Sequence, residues 1–161
     1  MSAATIQSPL VSVRLSEDEA WEVLRTAHTG ILTTLRRDGS PIALPVWFAV
    51  EDRVIYVTGP RSGKKFVRVR NDPRVSFLVE SGEAWKELCA VHVSGRGEIV
   101  EDPDWEHVDG LLADKYQGFI TPRAEMPERT REHYDVGRML LRIEPEGRLL
   151  TWDNARLDIG S

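Results

Sequence analysis

Apolar residues change their spacing twice within the first fifty positions of this chain. Ala20, Val23, Leu24 and Ala27 recur at three and four residues, the stripe of an amphipathic helix. Ser16-Glu17-Asp18-Glu19 precedes them. It forms a capping box in which serine and glutamate satisfy the first N–H groups while acids meet the helix dipole. The pattern predicts a helix over residues 16–28, ended by Gly30. The period then falls to two. Ile31–Arg36 predicts a short strand, Arg37-Asp38-Gly39-Ser40 a hairpin turn, and PIALPVWFAV (residues 41–50) the returning strand. Ile42, Leu44, Val46, Phe48 and Val50 make its expected core row. The other row, Ala43, Pro45, Trp47 and Ala49, carries no charge either. Such a strand is expected to be covered on both faces, by the protein, a ligand or a second subunit. Pro45 has no N–H for a ladder and predicts an edge or a bulge beside Trp47, a place to admit a flat ligand.

Arg53–Thr58 reads as a third strand. Beyond it Arg61, Lys64, Lys65 and Arg68 stand at i, i+3, i+4 and i+7, which puts all four on one helix face with Phe66 and Val69 on the other. Ser62 is the expected N-cap, and Asn71-Asp72-Pro73 the stop. Arg74–Glu80 predicts a strand with Val75, Phe77 and Val79 inward. Leu88–Val100 predicts a longer one with Val91, Val93 and Ile99 on one face and His92, Ser94, Arg96 and Glu98 on the other. Gly95 and Gly97 strip its inward row of side chains, as at a barrel bend or a close backbone contact. A helix starting at Asp102-Pro103-Asp104 carries Trp105, Val108, Leu111 and Leu112. Residues 118–135 read as a loop with room for one helical turn. Arg138–Ile143 and Leu149–Trp152 close the pattern as strands joined by the turn Glu144-Pro145-Glu146-Gly147. Six or seven mostly antiparallel strands joined by hairpins, with helices at intervals, predict a mainly β fold: a small barrel with attached helices. One domain over residues 1–161 is expected, with residues 1–15 as an N-terminal arm.

Composition narrows the setting. A hydrophobic fraction of 41% with 29% charged residues is that of an ordinary soluble domain. The single cysteine, Cys89, precludes an internal disulfide framework. No signal peptide pattern and no apolar run of membrane-spanning length occur, so a cytoplasmic protein without membrane contact is expected. The net charge of −5 argues against nucleic acid as a partner. Against that acidic background, residues 59–74 hold Arg61, Lys64, Lys65, Arg68, Arg70 and Arg74 with one acid, Asp72. The island points to a small anionic ligand, the alternative being a solvated basic helix face.

GPRSGKKFVRVR (residues 59–70) invites comparison with a nucleotide-binding P-loop, and the comparison fails. Only three residues separate Gly59 from Gly63, and Lys65 stands where the metal-binding hydroxyl belongs. The four histidines, His28, His92, His107 and His133, lie too far apart for zinc-site spacing, and no G-x-S-x-G elbow is present, so no metal and no nucleophilic triad are expected. The chemistry is therefore expected to come from a bound cofactor.

The order of helix, GILTTLRRDGSPIALPVWFAV hairpin, IYVTGPRSGKKFVRVRNDPRVSFLVE and VHVSGRGEIVED resembles the pyridoxamine 5′-phosphate oxidase-like superfamily of FMN-binding split β-barrels. The P-V-W-F strand is similar to its actinobacterial branch, which binds the deazaflavin F420. The resemblance covers residues 16–102 well and the rest loosely. It implies that Thr58, Ser62, Lys64 and Lys65 hold the cofactor's phosphate, Lys65 standing eight residues before Pro73 as in relatives. It implies that the ring lies against Pro45, Val46, Trp47 and Phe48. Relatives are homodimers with the cofactor between subunits, so Trp152 is expected to reach it from the other subunit.

Where FMN oxidases of the superfamily carry an arginine and a later lysine on the ring strand, this chain has apolar residues, with Val50 near the lysine's place. That narrowly favours F420 over FMN, and Arg61 and Arg68 would suit the long anionic tail of F420. The arginine-rich C-terminus of true pyridoxamine phosphate oxidases has no match in RLLTWDNARLDIGS. The expected activity is hydride transfer between F420 or FMN and a small unsaturated or aromatic molecule. Catalytic residues are not identified; Tyr56, Tyr116 and His92 are candidate proton sources. The alternatives are a non-catalytic F420 or FMN carrier and a protein binding heme or another planar ligand.

Overall fold

Ser16 caps the first helix as its sequence predicts. In the computed structural model, which describes residues 12–157, its Oγ accepts from the Glu19 N–H at 3.3 Å and the Glu19 carboxylate accepts from the Ser16 N–H at 2.7 Å. That box starts α1 (Glu17–Thr26), which buries Ala20, Trp21 and Leu24. The period-two segment after it forms β1 (Gly30–Leu35) and β2 (Pro41–Val46), paired antiparallel from Gly30↔Val46 to Leu35↔Pro41. Gly39 turns the hairpin with φ 84°, and the Asp38 carboxylate accepts from the Ser40 N–H at 2.9 Å.

The strand expected over residues 41–50 does not run through. It breaks at Trp47-Phe48, and Ala49–Glu51 forms a separate strand, β3. A two-residue turn at Asp52 and Arg53, both with positive φ, leads to β4 (Val54–Pro60). Arg53 ties this turn to α1 through Glu17 at 2.8 Å and Asp18 at 2.9 Å. The chain continues through α2 (Lys64–Asn71), β5 (Arg74–Ser81), β6 (Cys89–Val100), α3 (Trp105–Tyr116), α4 (Glu128–Asp135), β7 (Arg138–Pro145) and β8 (Leu150–Asp153). Among the described residues the count is eight strands, beside the expected six or seven, because one apolar run supplies two. The segment read as a loop over residues 118–135 contains α4, a two-turn helix without a buried residue.

The strands form one sheet in the order β2-β1-β5-β6-β7-β4-β3, with β8 also on β6. Every pairing is antiparallel. Its two outermost strands, β2 and β3, are separated in the chain only by Trp47 and Phe48. A sheet whose opposite edges lie two residues apart must curl until those edges nearly meet. The result is a split β-barrel. Pro45 accordingly sits on an edge strand, as its missing N–H predicts.

The closing strands depart from a simple hairpin. β7 and β8 do not pair with each other; both lie along β6, β8 against Cys89–His92 and β7 against Gly95–Val100. Of the arm expected over residues 1–15, residues 1–11 lie outside the described residues. The Val13 carbonyl accepts from the Asp153 N–H at 2.7 Å, and the Leu15 N–H donates to Thr151 Oγ1 at 3.0 Å, so the chain ahead of α1 runs along β8.

Val57, Phe77, Val91, Val93, Leu141 and Ile143 are fully buried inside the curl, capped by Leu24 of α1 and Phe66 of α2. Phe77 meets Phe48 edge-on at 4.7 Å. The bend at Trp47-Phe48 is held from α3. The Tyr116 hydroxyl accepts from the Phe48 N–H at 2.9 Å and donates to the His28 carbonyl at 2.8 Å, and its ring stacks on Trp47 at 4.2 Å. Tyr116 is 1% exposed. Tyr116→Phe strips the buried Phe48 N–H of its acceptor, and is expected to lower unfolding stability by about 1–2 kcal/mol in urea titrations. Tyr134→Phe, on exposed α4, is expected to leave it unchanged. Among the described residues, no helix is long and apolar enough to cross a membrane.

Candidate functional site

Helix α2 begins one residue later than a Ser62 cap predicts. The Gly63 N–H donates to the Pro60 carbonyl at 2.8 Å, so Ser62 and Gly63 complete a turn before the helix starts. Gly63, and not Ser62, is the N-cap, and no side chain caps the first turn. Arg61 therefore stands outside the helix, and the single face expected for Arg61, Lys64, Lys65 and Arg68 is broken. The Arg61 N–H donates to Gly137 O at 2.9 Å, and its side chain enters a small recess with Arg70, Trp105 and Arg138. Phe66 and Val69 turn into the core as expected, 1% and 2% exposed.

Close packing beneath α2 fixes where its remaining cations go. A Cβ on Gly97 of β6 would lie 2.9 Å from Val69 and 2.9 Å from Leu141, so only glycine lets the helix settle this near the sheet. On the opposite side, Lys64, Lys65 and Arg68 line a groove of about 350 Å³. Its other walls are Leu32 and Thr34 of β1, Leu44, Pro45 and Val46 of β2, Pro60, Gly63, and His133 of α4. Arg68 Nε donates to Thr34 Oγ1 at 2.7 Å, which anchors the guanidinium in this wall. Among the described residues, no carboxylate lies within 4.0 Å of Lys64, Lys65 or Arg68. Burial lowers the proton affinity of the Lys65 ammonium from its ordinary value, and the Arg68 charge lowers it further. Half-buried, uncompensated positive charge beside an apolar wall is a receptor for an anion with an apolar body.

The groove gathers Pro45, Val46, Lys64 and Lys65 of the residues expected to bind a cofactor, and it includes Arg68. Ser62 reaches its rim, where Oγ lies 3.3 Å from Nδ1 and 3.4 Å from Nε2 of His133. Thr58, Arg61, Trp47, Phe48 and Trp152 do not line it. Thr58 of β4 stands opposite Leu140 of β7, and Trp152 of β8 opposite Ala90 of β6. Trp47 is 41% exposed but turned onto Tyr116. Phe48 takes the core place that the alternation predicts, 0% exposed and with its N–H taken by Tyr116, so its side chain is not at the groove where the resemblance puts the ring. Leu44, expected in a core row, is 51% exposed because β2 is an edge strand with no further strand over it. Tyr116 is a poor proton source, since burial raises its pKa and both roles of its hydroxyl are committed within the bend. Tyr56 and His92 lie away from the groove, opposite Arg142 and Leu78.

Two polar side chains of the groove, Thr34 and His133, are not among the residues the sequence points to. Thr34 had a signal, as the one hydroxyl alternating with Leu32 on an inward row; it is 1% exposed. His133 had none, because it lies on the helix read as a loop. Lys115 is a second buried ammonium, 3.4 Å over the Phe48 ring, without a hydrogen-bond partner among the described residues; burial lowers its pKa to about 8.

Gly59 gives access to the groove's charge. A Cβ there would lie 2.6 Å from Lys65 Nζ, the mobile end of a flexible side chain. Gly59→Ala is expected to displace that ammonium, weakening anion binding several-fold while changing the melting temperature little. Parallel binding and thermal-shift measurements on the one variant check both halves.

The sequence model of the family described as pyridoxamine 5′-phosphate oxidase matches residues 16–151. Among solved structures, the conserved hypothetical protein Rv2991 from Mycobacterium tuberculosis is 30% identical, with a TM-score of 0.77 over 96% of this chain and 94% of that one. A FAD-binding protein (mll6688) from Mesorhizobium loti is 25% identical, with a TM-score of 0.65 over 85% of this chain and 94% of its own. A protein described as an F420 reductase is 26% identical, with a TM-score of 0.58 over 78% of this chain and 92% of its own.

Proposed function

Because the chain belongs to the pyridoxamine 5′-phosphate oxidase family, we propose that the groove between α2 and β2 binds the phosphate end of a flavin-type cofactor and that the protein is an oxidoreductase. One observation carries this reading: Lys64, Lys65 and Arg68, without carboxylate partners among the described residues, share a groove with the apolar residues Leu44, Pro45 and Val46. The donor set fits a phosphate joined to an apolar body. Lys64 and Lys65 bind the phosphate, Arg68 is held ready by Thr34, and the β2 residues exclude water along one side. The bound cofactor supplies hydride transfer to a small unsaturated or aromatic substrate.

F420 is favoured narrowly over FMN, since apolar residues replace the ring-strand cations and a 26% identical neighbour is described as an F420 reductase. The 25% identical FAD-binding neighbour supports the flavin alternative. Two copies of the chain are proposed to pair over the edge strand β2, covering Leu44 and Trp47, with Trp152 approaching the cofactor of the other subunit. Neither nucleic acid nor membrane is needed as a partner.

The test is a parallel titration of the purified apo-protein with FMN and F420, followed by tryptophan fluorescence and the cofactors' own emission. Tight F420 binding with weak FMN binding supports the deazaflavin reading, and the reverse moves the protein to the flavin side. Binding of neither overturns the cofactor assignment. Turnover of the reduced cofactor by electron acceptors then separates an oxidoreductase from a carrier.

A further inference from the structure

His133 has no part in the function proposed above, and its position gives it one. We propose that His133 is the titratable member of the anion site: a further cation, present only when its ring is protonated, that contacts the bound phosphate from α4. The inference rests on reading the groove as a phosphate site and adds a residue from an element that the phosphate-binding segment does not include.

The geometry comes from two contacts. His133 lines the same groove as Lys64, Lys65 and Arg68. Ser62 Oγ is almost equidistant from its two nitrogens, 3.3 Å and 3.4 Å, at the long end for a hydrogen bond. Neither nitrogen is committed to that contact, so an N–H remains to point at a ligand. The polar side chains that share the groove or touch the ring are cations or neutral: Lys64, Lys65 and Arg68 on α2, Thr34 on β1, Ser62 before α2, and Tyr134, whose ring centroid is 6.2 Å away. On its own helix, Arg129 adds positive charge, Glu132 is its neighbour, and Asp135 is paired with Arg123. Among the described residues, no carboxylate lies within 4.0 Å of His133.

An imidazole can gain or lose its proton near neutral pH, where arginine keeps its charge throughout. A phosphate in the groove favours the imidazolium and so raises its proton affinity in the complex above that in the free protein. Binding then takes up a proton. Affinity is greatest below the free-state titration and falls as pH rises through that of the complex. Lys65, whose proton affinity burial lowers, is the other group that could give such a slope. Lys65→Arg separates the two, because arginine does not titrate in this range.

The experiment measures FMN affinity from pH 6.5 to 8.5, with riboflavin as the ligand lacking phosphate, and F420 in place of FMN if only F420 binds. In the native protein, affinity is expected to fall about tenfold across this range. His133→Ala should be flat and weak throughout, His133→Lys flat and tight, and Lys65→Arg should keep the native slope. A slope that survives in His133→Ala, or a native protein without one, overturns the role of His133 and leaves the groove reading standing. Riboflavin binding as tightly as FMN, or no binding by either cofactor, overturns the groove reading and this inference with it.

Discussion

Lys64→Ala/Lys65→Ala is expected to bind its cofactor about 2–4 kcal/mol more weakly than the native protein, roughly 30- to 1,000-fold in dissociation constant. The magnitude follows from what each side chain does without ligand. Neither lysine has a carboxylate partner among the described residues, so neither charge is spent on an internal ion pair. Lys65 is held half-buried over the Phe66 ring at 4.8 Å, where water screens it less than an exposed ammonium. Charge kept in a partly dry site serves an incoming anion. The same facts predict a small effect on folding, since removing Lys65 relieves repulsion from Arg68 and loses only the packing of its stem. A double variant that melts like the native protein and binds FMN and F420 as tightly would place the phosphate elsewhere. Lys86→Ala, on the exposed turn before β6, is the matched control for lost positive charge.

Gly30→Ala is expected to cost about 3 kcal/mol of stability, out of proportion to a single methyl group. A Cβ at Gly30 would fall 2.1 Å and 2.5 Å from two atoms of the Phe77 ring. That ring cannot yield easily: it is 0% exposed and packed edge-on against Phe48, which the Tyr116 hydrogen bond holds in place. Gly30 also pairs with Val46 at the end of β1, so a shift of its backbone pulls on the groove wall. Phe77→Leu supplies the diagnostic. Alone it destabilises by leaving space; with Gly30→Ala the smaller side chain makes room for the methyl. The double variant should be more stable than the sum of the two single effects allows. Additive losses in urea denaturation would show that the Gly30 penalty arises from the backbone and not from the ring.

The curl of the sheet was legible wherever the period of the side chains was set by one buried face. α1 announced itself through its capping box, and β5 and β6 through the alternation of Val75, Phe77, Val79, Val91 and Val93, all now in the core. The break in the 41–50 segment was not, because Trp47 and Phe48 continue the apolar run, and the group that bends the chain, Tyr116, lies 68 residues away from Phe48. α4 showed only as room for one helical turn because it buries nothing and so has no apolar stripe to read. Within the candidate site, the lysines and the β2 residues were legible from motif and charge. Arg61 falls outside the helical face because Pro60 and Gly63 hold the residues before α2 in a turn, which the spacing of charges does not encode. His133 and Thr34 enter the groove through tertiary packing, which spacing along the chain does not encode.

The arrangement of partners along β6 has a consequence for how the protein is made. One edge of β6 can pair with β5 as soon as both have left the ribosome, but the Gly95–Val100 half of the other edge waits for β7. β4 waits for the same strand, since it has only the three residues of β3 on its first edge until β7 arrives. Until β7 is made, β4 and the Gly95–Val100 half of β6 therefore each lack a strand on one side, and the Cys89–His92 half waits longer still, for β8. A nascent chain stalled before β7 carries two templates for aggregation, and is the form of this protein for which chaperones would have most to hold.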